Sequence, residues 1–428
     1  MSKKYSFLKK TLVLTIIVLF IGMVIAPCIS SINIESKKDQ TGKTFTFNPF
    51  KEGWKYRKKI TIDSDKVTGN LVNFPLLVST VDSGLAGKAQ TNGDDIIFMD
   101  GKGEASQLFH EIESFDVNNG ELVAWVNIPF LSSAADLKIF MYYGHPDCTN
   151  QEIPENVWDP NFCGVWHLND FYDSTINGND GTNHGTDDCT GKIGKGKDLV
   201  EINKDYISLG DMPEPADDVL STATFEIWIN PNVGSWGNLI CKLDTSYEPD
   251  RRSYNLNVLD TGEFRFSAQS GTWFPSENII RFTTNEPLMA TNTWQQIVIV
   301  VDLSISDTGS AIIYYNGEIQ PSNTKVLGSP PNHFYDVALE ERLGRYTPET
   351  GGPHSFDGSM DEVRISKVCR SREWITTQFN NQNDISSFLK FGREIRPRTN
   401  TNENILIQRF FDYHPNIAIL LKFIFGLN

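Results

Sequence analysis

Residues 356–365 constrain the fold more than any other stretch. They read Phe356-Asp357-Gly358-Ser359-Met360-Asp361-Glu362-Val363-Arg364-Ile365. Strand alternation sets Asp361, Val363 and Ile365 on one face and Met360, Glu362 and Arg364 on the other. A carboxylate in register with two β-branched apolar residues needs a backbone donor, a basic group or a metal ion. Short alternating runs of this kind recur along the 428 residues, and 32 Gly and 20 Pro punctuate them. That pattern predicts an all-β chain.

The runs fall into two groups. After a polar linker over residues 31–50, residues 56–63 place Ile60 and Ile62 on one face. Residues 74–81 follow, with Pro75 marking a strand start or edge. Residues 94–98, 110–115, 121–126 and 137–143 complete the first set, with turns such as Asp100-Gly101 and Asn118-Asn119-Gly120 between them. Several short strands without a helical stretch predict a β-sandwich over residues 51–153. A second set begins at residues 164–168 and continues through 206–209, 225–229, 294–300 and 312–317 to the segment that closes it. Residues 371–382 read as one helix, with Ser371 as N-cap, Glu373 near its positive end, and Trp374 and Phe379 available for packing. Residues 387–391 add a last strand. The fold class expected is two antiparallel β-sandwich modules, over residues 51–153 and 162–393.

The ends of the chain differ from its middle. Lys3, Lys4, Lys9 and Lys10 precede an uncharged apolar run over residues 12–26, and small residues surround Cys28. Residues 1–30 therefore read as a signal peptide or a retained N-terminal anchor, and the protein is expected outside the cell or on its surface. After a linker over residues 394–404, residues 405–428 are apolar-rich and divided by Pro415. Neither half reaches the ~20 residues of a spanning helix. The segment reads either as an amphipathic hairpin or tail, or as a contact with a membrane surface or partner. The net charge of −16 argues against nucleic acid as a partner. Six cysteines are present, without a CxxC pair, and export permits disulfides among them.

Both modules resemble known families. Trp54, residues 56–62, Gly93-Asp94-Asp95-Ile96 with Phe98, residues 111–115, Trp125-Val126 with Pro129, and Tyr142-Tyr143-Gly144 resemble domain of unknown function 2341. That family is found in exported prokaryotic proteins, and its biochemical role is undefined. Trp166-His167-Leu168, the turn-rich run over residues 173–182, Tyr315-Asn316-Gly317 and the closing strand resemble the laminin-G-like, concanavalin-A-like jellyroll. The resemblance implies a binding or structural module, and it implies a calcium ion at a sandwich rim.

Calcium takes six to eight oxygens. Asp361 by its strand phase, with Asp173 and Asp180 from the turn-rich loop, are the expected ligands. The alternative is that Asp361 bonds backbone amides and the loop is a series of Asx-turns. For sugar binding, Trp236, Trp273 and Tyr247 sit among turn residues, where an aromatic face can meet the C–H face of a sugar. The alternative is that these rings fold back onto the sandwich. Glu111 and Glu113 share a strand face and are the one carboxylate pair with glycosidase spacing. Solvated edge charge is the preferred reading of this pair. The seven histidines show no HExxH or other metal spacing, and GxSxG, Walker A and dinucleotide motifs are absent. The expected role is extracellular binding or adhesion without catalysis, with a glycan as ligand. An envelope protein held by protein contacts is the alternative.

Overall fold

The computed structural model describes residues 46–212, 220–244, 252–270, 278–305, 309–346 and 355–397. The first sandwich uses β1 (Tyr56–Ile62), β2 (Leu71–Val81), β3 (Ile97–Met99), β4 (Gln107–Leu108), β5 (His110–Asp116), β6 (Glu121–Leu131) and β7 (Leu137–Tyr143). The second runs through β8 (Phe162–Trp166), β9 (Thr182–His184), β10 (Asp187–Thr190), β11 (Lys195–Leu199), β12 (Tyr206–Gly210) and β13 (Thr222–Pro231). It continues with β14 (Gly237–Leu243), β15 (Arg252–Val258), β16 (Phe264–Ser270), β17 (Asn278–Thr284) and β18 (Gln295–Asp302). It ends with β19 (Ser310–Tyr315), β20 (Glu318–Gln320), β21 (Ser322–Leu327), β22 (Glu341–Leu343) and β23 (Gly358–Ser366). Helix α1 (Arg372–Asn383) and strand β24 (Leu389–Phe391) follow.

Two sheets form each sandwich. In the second, one sheet has the order β10-β11-β23-β13-β18-β19-β20, with β8 beside β23, and the other the order β21-β17-β16-β15-β14-β22-β12-β9. Alternation explains the core between them: Phe225, Ile227 and Ile229 of β13 point inward, as do Ile297, Ile299 and Val301 of β18. The opposite face of β13 carries Thr224, Glu226 and Trp228, all buried. Helix α1 covers that face. Gln378 donates to Glu226, Trp228 Nε1 donates to Gln382 Oε1 at 2.5 Å, and Phe379 stacks on Trp228 at 5.7 Å. One oxygen of Glu226 and the Gln382 carbonyl are thus paired at this contact. The helix begins as expected, with Ser371 Oγ accepting the Trp374 N–H at 3.2 Å.

The chain then returns to the first sandwich. Strand β24 pairs with β1, so the first module's five-stranded sheet reads β24-β1-β7-β3-β4, facing the sheet β2-β6-β5. A strand placed after the second module by sequence therefore completes the first. The Asn381 carboxamide closes the free edge of β2, accepting from Leu77 N at 2.8 Å and donating to Leu77 O at 3.1 Å. Apolar residues of both modules share one core: Phe74, Leu77 and Trp125 pack in the same cluster as Phe162, Val165, Val298, Val300 and Trp374. Both sandwiches accordingly lie in one compact unit.

Cys148, Cys163, Cys189, Cys241 and Cys369 are free thiols. The disulfides that export would permit do not form among them. Cys163, Cys189 and Cys241 sit on β8, β10 and β14, which do not pair with one another. No helix among the described residues is long and apolar enough to cross a membrane. The expected signal segment and the apolar C-terminal segment both lie outside the described residues.

If the return of the chain holds the first sandwich, removing the Asn381 amide will be felt there. Asn381→Ala leaves the Leu77 N–H and C=O unpaired, for an expected loss of roughly 1–3 kcal/mol in urea denaturation. A loss under about 0.3 kcal/mol would contradict this role.

Candidate functional site

Two places in the molecule concentrate chemistry. The first is the junction between the sandwiches, and two β-bulges build it. On β5 the register against β6 shifts between Ile112 and Ser114, leaving Glu113 as the extra residue. On β23 the register against β13 shifts between Arg364 and Asp361, and Glu362 there adopts a φ of +51°. A left-handed conformation costs a non-glycine residue about 1–2 kcal/mol. Bulges re-aim side chains. This one breaks the alternation expected for residues 356–365. Met360, Val363 and Ile365 enter the second core, whereas Asp361, in register with Trp228, lies on the opposite face with Arg364. Asp361 thus does not share a face with Val363 and Ile365, because the bulge at Glu362 adds a residue between them.

His167, just past β8, sits between the bulges. Its Nδ1 is 2.8 Å from Glu362 Oε1 and 3.7 Å from Glu113 Oε2, and its Nε2 is 3.5 Å from Glu111 Oε2. The ring stacks on Trp125 at 5.3 Å. Trp125 Nε1 donates to Glu113 Oε2 and Trp158 Nε1 to Glu111 Oε2, each at 3.0 Å. Ser174 Oγ donates to Glu111 Oε1 at 2.6 Å. Arg364 donates to Glu362 Oε2 at 2.5 Å and lies over the Trp125 ring at 4.4 Å. The side chains of Glu111, Glu113, His167 and Glu362 are 12%, 0%, 4% and 1% exposed, which closes the site to a polymeric substrate.

Burial sets the acid–base character here. It pushes the Glu113 carboxyl up to about 8, against the pull of His167 and with Glu362 adding to the rise. It raises Asp361 well above the ordinary range, helped by Glu362. Burial also acts to raise Glu111, but the charge of His167 and hydrogen bonds from His167, Ser174 and Trp158 outweigh it and hold Glu111 low. His167 goes the other way: burial opposes its charge, and Glu362 and Glu111 overcome that to hold it well above its ordinary value. The turn over residues 191–194 fits closely against these acids. A Cβ on Gly194, whose φ is +52°, would lie 2.6 Å from Glu113 Oε1, and one on Gly191 would lie 2.6 Å from Asp361 Oδ2. Glycine at these two positions permits that approach.

The expected calcium ligands do not converge. Among the described residues, the one group placed to share an ion is Glu113, His167 and Glu362. Asp173 Oδ1 accepts the N–H groups of Val165 at 3.0 Å and Thr175 at 2.9 Å, and its Oδ2 accepts from Asn179 N and Thr175 Oγ1 at 2.9 Å each. Asp180 Oδ1 accepts the Asp173 N–H at 2.9 Å. These two aspartates organise their own loop, as Asx-turns do. Asp361 Oδ2 accepts the Ile193 N–H at 2.8 Å, from the turn that packs at the junction. No spacing along the chain singles out His167 or Glu362, since the three side chains come from separate segments.

The second place is the outer face of the sheet that runs from β21 to β9. Cross-strand register lines up Lys325, Arg281, Ser267, Asn255, Cys241, Arg342, Ser208 and Thr182, one residue from each of its eight strands. None has an aliphatic or aromatic side chain; Lys325, Arg281, Asn255 and Thr182 reach solvent, whereas Ser267, Cys241, Arg342 and Ser208 are buried. A second row holds Asn323, Thr283, Arg265, Asn257 and Asn238. Asn255 Nδ2 donates to Asn238 Oδ1 at 2.7 Å, and Arg265 Nε donates to Thr283 Oγ1 at 3.2 Å. At the β9 end the exposed His184 ring lies parallel to Tyr206 at 4.2 Å, and Arg342 caps the same Tyr206 ring. Of the aromatic residues expected to meet sugar, Trp236 is half-buried and packs against the second core. Trp273 and Tyr247 lie outside the described residues.

Two family models match this chain. Residues 92–183 match the domain of unknown function DUF2341, and residues 202–376 match the concanavalin A-like lectin/glucanases superfamily. Both resemblances read from the sequence are thereby found, in the same order. The DUF2341 match runs across the junction and includes Glu111, Glu113 and His167. No match to the chain was found among curated proteins. Among solved structures, it is similar to domain 4 of AbnA, a GH43 extracellular arabinanase from Geobacillus stearothermophilus, solved with arabinotriose. The identity is 19% and the TM-score 0.35, over 50% of this chain and 97% of that one. It is also similar to the binding domain of Paraclostridial Mosquitocidal Protein 1, at 14% identity and a TM-score of 0.38, over 51% of this chain and 52% of that one. The binding domain of botulinum neurotoxin serotype D matches at 13% identity and a TM-score of 0.36, over 52% of this chain and 51% of that one. The chain thus spans about half the length of those two binding-domain structures. Such identities and TM-scores transfer no ligand.

Beneath the polar face, β22 carries Glu341, fully buried, with neither carboxylate oxygen hydrogen-bonded among the described residues. Burial pushes its carboxyl up to about 8, against the nearby Lys242 and with Asp211 reinforcing the rise. Lys242 itself donates to Asp211 Oδ1 at 2.8 Å and Met212 O at 2.7 Å. With a raised folded value, the stabilising proton is present below about 4.5 and is lost as pH rises through about 8. Stability therefore falls across that window. Glu341→Gln should shrink the drop in unfolding free energy between about pH 5 and pH 8 by up to about 4 kcal/mol. Urea titrations at the two pH values measure it, and an unchanged drop would refute the assignment.

Proposed function

We propose that the protein is an exported, surface-associated binding protein that holds a glycan across the polar outer face of its second sandwich. The solvent-reaching members of its two cross-strand rows, among them Lys325, Arg281, Arg265, Asn255 and Asn257, carry this reading. Sugars present hydroxyls in planes, and the amides of Asn255 and Asn257 with the guanidinium of Arg265 offer planar donors and acceptors at strand spacing. The exposed His184 ring, stacked on Tyr206, supplies an adjoining flat face. The lectin-like family match over residues 202–376 supports a binding module. The basic and apolar N-terminal residues support export. Burial of Glu111 and Glu113 supports binding over hydrolysis.

A glycan array probed with the full chain tests this. At least one glycan class should bind, and Asn255→Ala and Arg265→Ala should each weaken it by about tenfold or more without moving the melting temperature. Binding that survives both substitutions would place the ligand elsewhere, and an array without any bound glycan would defeat the reading.

A further inference from the structure

The junction between the sandwiches has the donor set of a metal centre. One ligand atom from each of Glu113, His167 and Glu362 falls within 4.8 Å of the other two. Donors about 2.0–2.2 Å from a shared ion stand roughly 3–3.5 Å apart. The 2.8 Å and 3.7 Å separations from His167 Nδ1 bracket that value. The Glu113 side chain is 0% exposed, and its Oε1 has no hydrogen-bond partner among the described residues. Glu113 accepts the Trp125 indole N–H, and no Lys or Arg among the described residues bonds it. Three carboxylates thus surround one imidazole, while Arg364 serves Glu362 alone among them.

We propose that Glu113, His167 and Glu362 bind one divalent transition-metal ion of the zinc or manganese type, which clamps the two sandwiches together. One imidazole nitrogen with carboxylate oxygens suits such ions, whereas calcium takes an all-oxygen shell. The surroundings are those that orient metal ligands: Trp125 holds the Glu113 carboxylate, and Arg364 holds the second oxygen of Glu362. Glu111, 3.5 Å from Nε2, lies on the opposite side of the ring and fixes its orientation. The ligands come from a bulge in each sandwich and from the segment just past β8. A bound ion would therefore tie the modules directly, and burial would keep substrate from the coordination positions that the three side chains leave unfilled.

The test uses the full chain, stripped with EDTA and then dialysed against zinc, manganese or calcium. Elemental analysis should find about one equivalent of zinc or manganese, with a melting temperature several degrees above the stripped form. His167→Gln and Glu113→Gln should each lose both the ion and the shift while keeping the far-UV circular dichroism. Cobalt offers a check that needs no variant, because a nitrogen- and oxygen-ligated cobalt ion absorbs in the visible. Absence of those bands, binding below about 0.2 equivalents, a response to calcium alone, or full binding by His167→Gln would each overturn the proposal.

Discussion

The structure depends on how charge is buried between the two sandwiches. Five acids (Glu111, Glu113, Glu226, Asp361 and Glu362) lie at or beside a seam that apolar residues otherwise fill. An ionised group left alone there would cost several kcal/mol. The seam is tolerable because every one of these acids meets a donor. His167 and Arg364 serve Glu362, Trp125 serves Glu113, Trp158 and Ser174 serve Glu111, Ile193 serves Asp361, and Gln378 serves Glu226. Donors and acceptors come from both modules and from α1. The relative placement of the sandwiches is consequently a condition of satisfying the charges, and the bulges at Glu113 and Glu362 are what aim them at one another.

Much of the fold was legible. Period-2 runs and turn residues predict two antiparallel sandwiches, and the capped helix starts at the Ser371 side chain. Failures trace to interactions that are not local. Strict alternation puts Asp361 in phase with Val363 and Ile365, but the bulge at Glu362 breaks it, and two successive acids inside an apolar strand are its only trace in the sequence. Strand β24 follows the second module in sequence, but its pairing with β1 depends on a chain reversal that residue order does not encode. The disulfides were permitted by composition and are absent among the described thiols, since the strands carrying them do not adjoin.

The candidate sites were less legible for the same reason. Asp173 and Asp180 have the look of metal ligands in sequence, and in the fold they bond the backbone of their own loop. His167 has no metal spacing along the chain, yet it meets acids more than 50 and nearly 200 positions away in sequence. The polar row on the outer sheet is a property of register across eight strands and appears in no single segment. Trp236 supports the general expectation that a loop tryptophan more often packs than projects. What unites these cases is that sequence carries the periodicity of each strand well and the register between strands hardly at all.

A protein whose sandwiches share a core, a returning strand and a charged seam should unfold as one body. Differential scanning calorimetry of the full chain tests this central claim most directly. The account predicts a single transition whose calorimetric and van't Hoff enthalpies agree within about 10–15%. Two resolved transitions, with the first sandwich melting while the second remains folded, would contradict it.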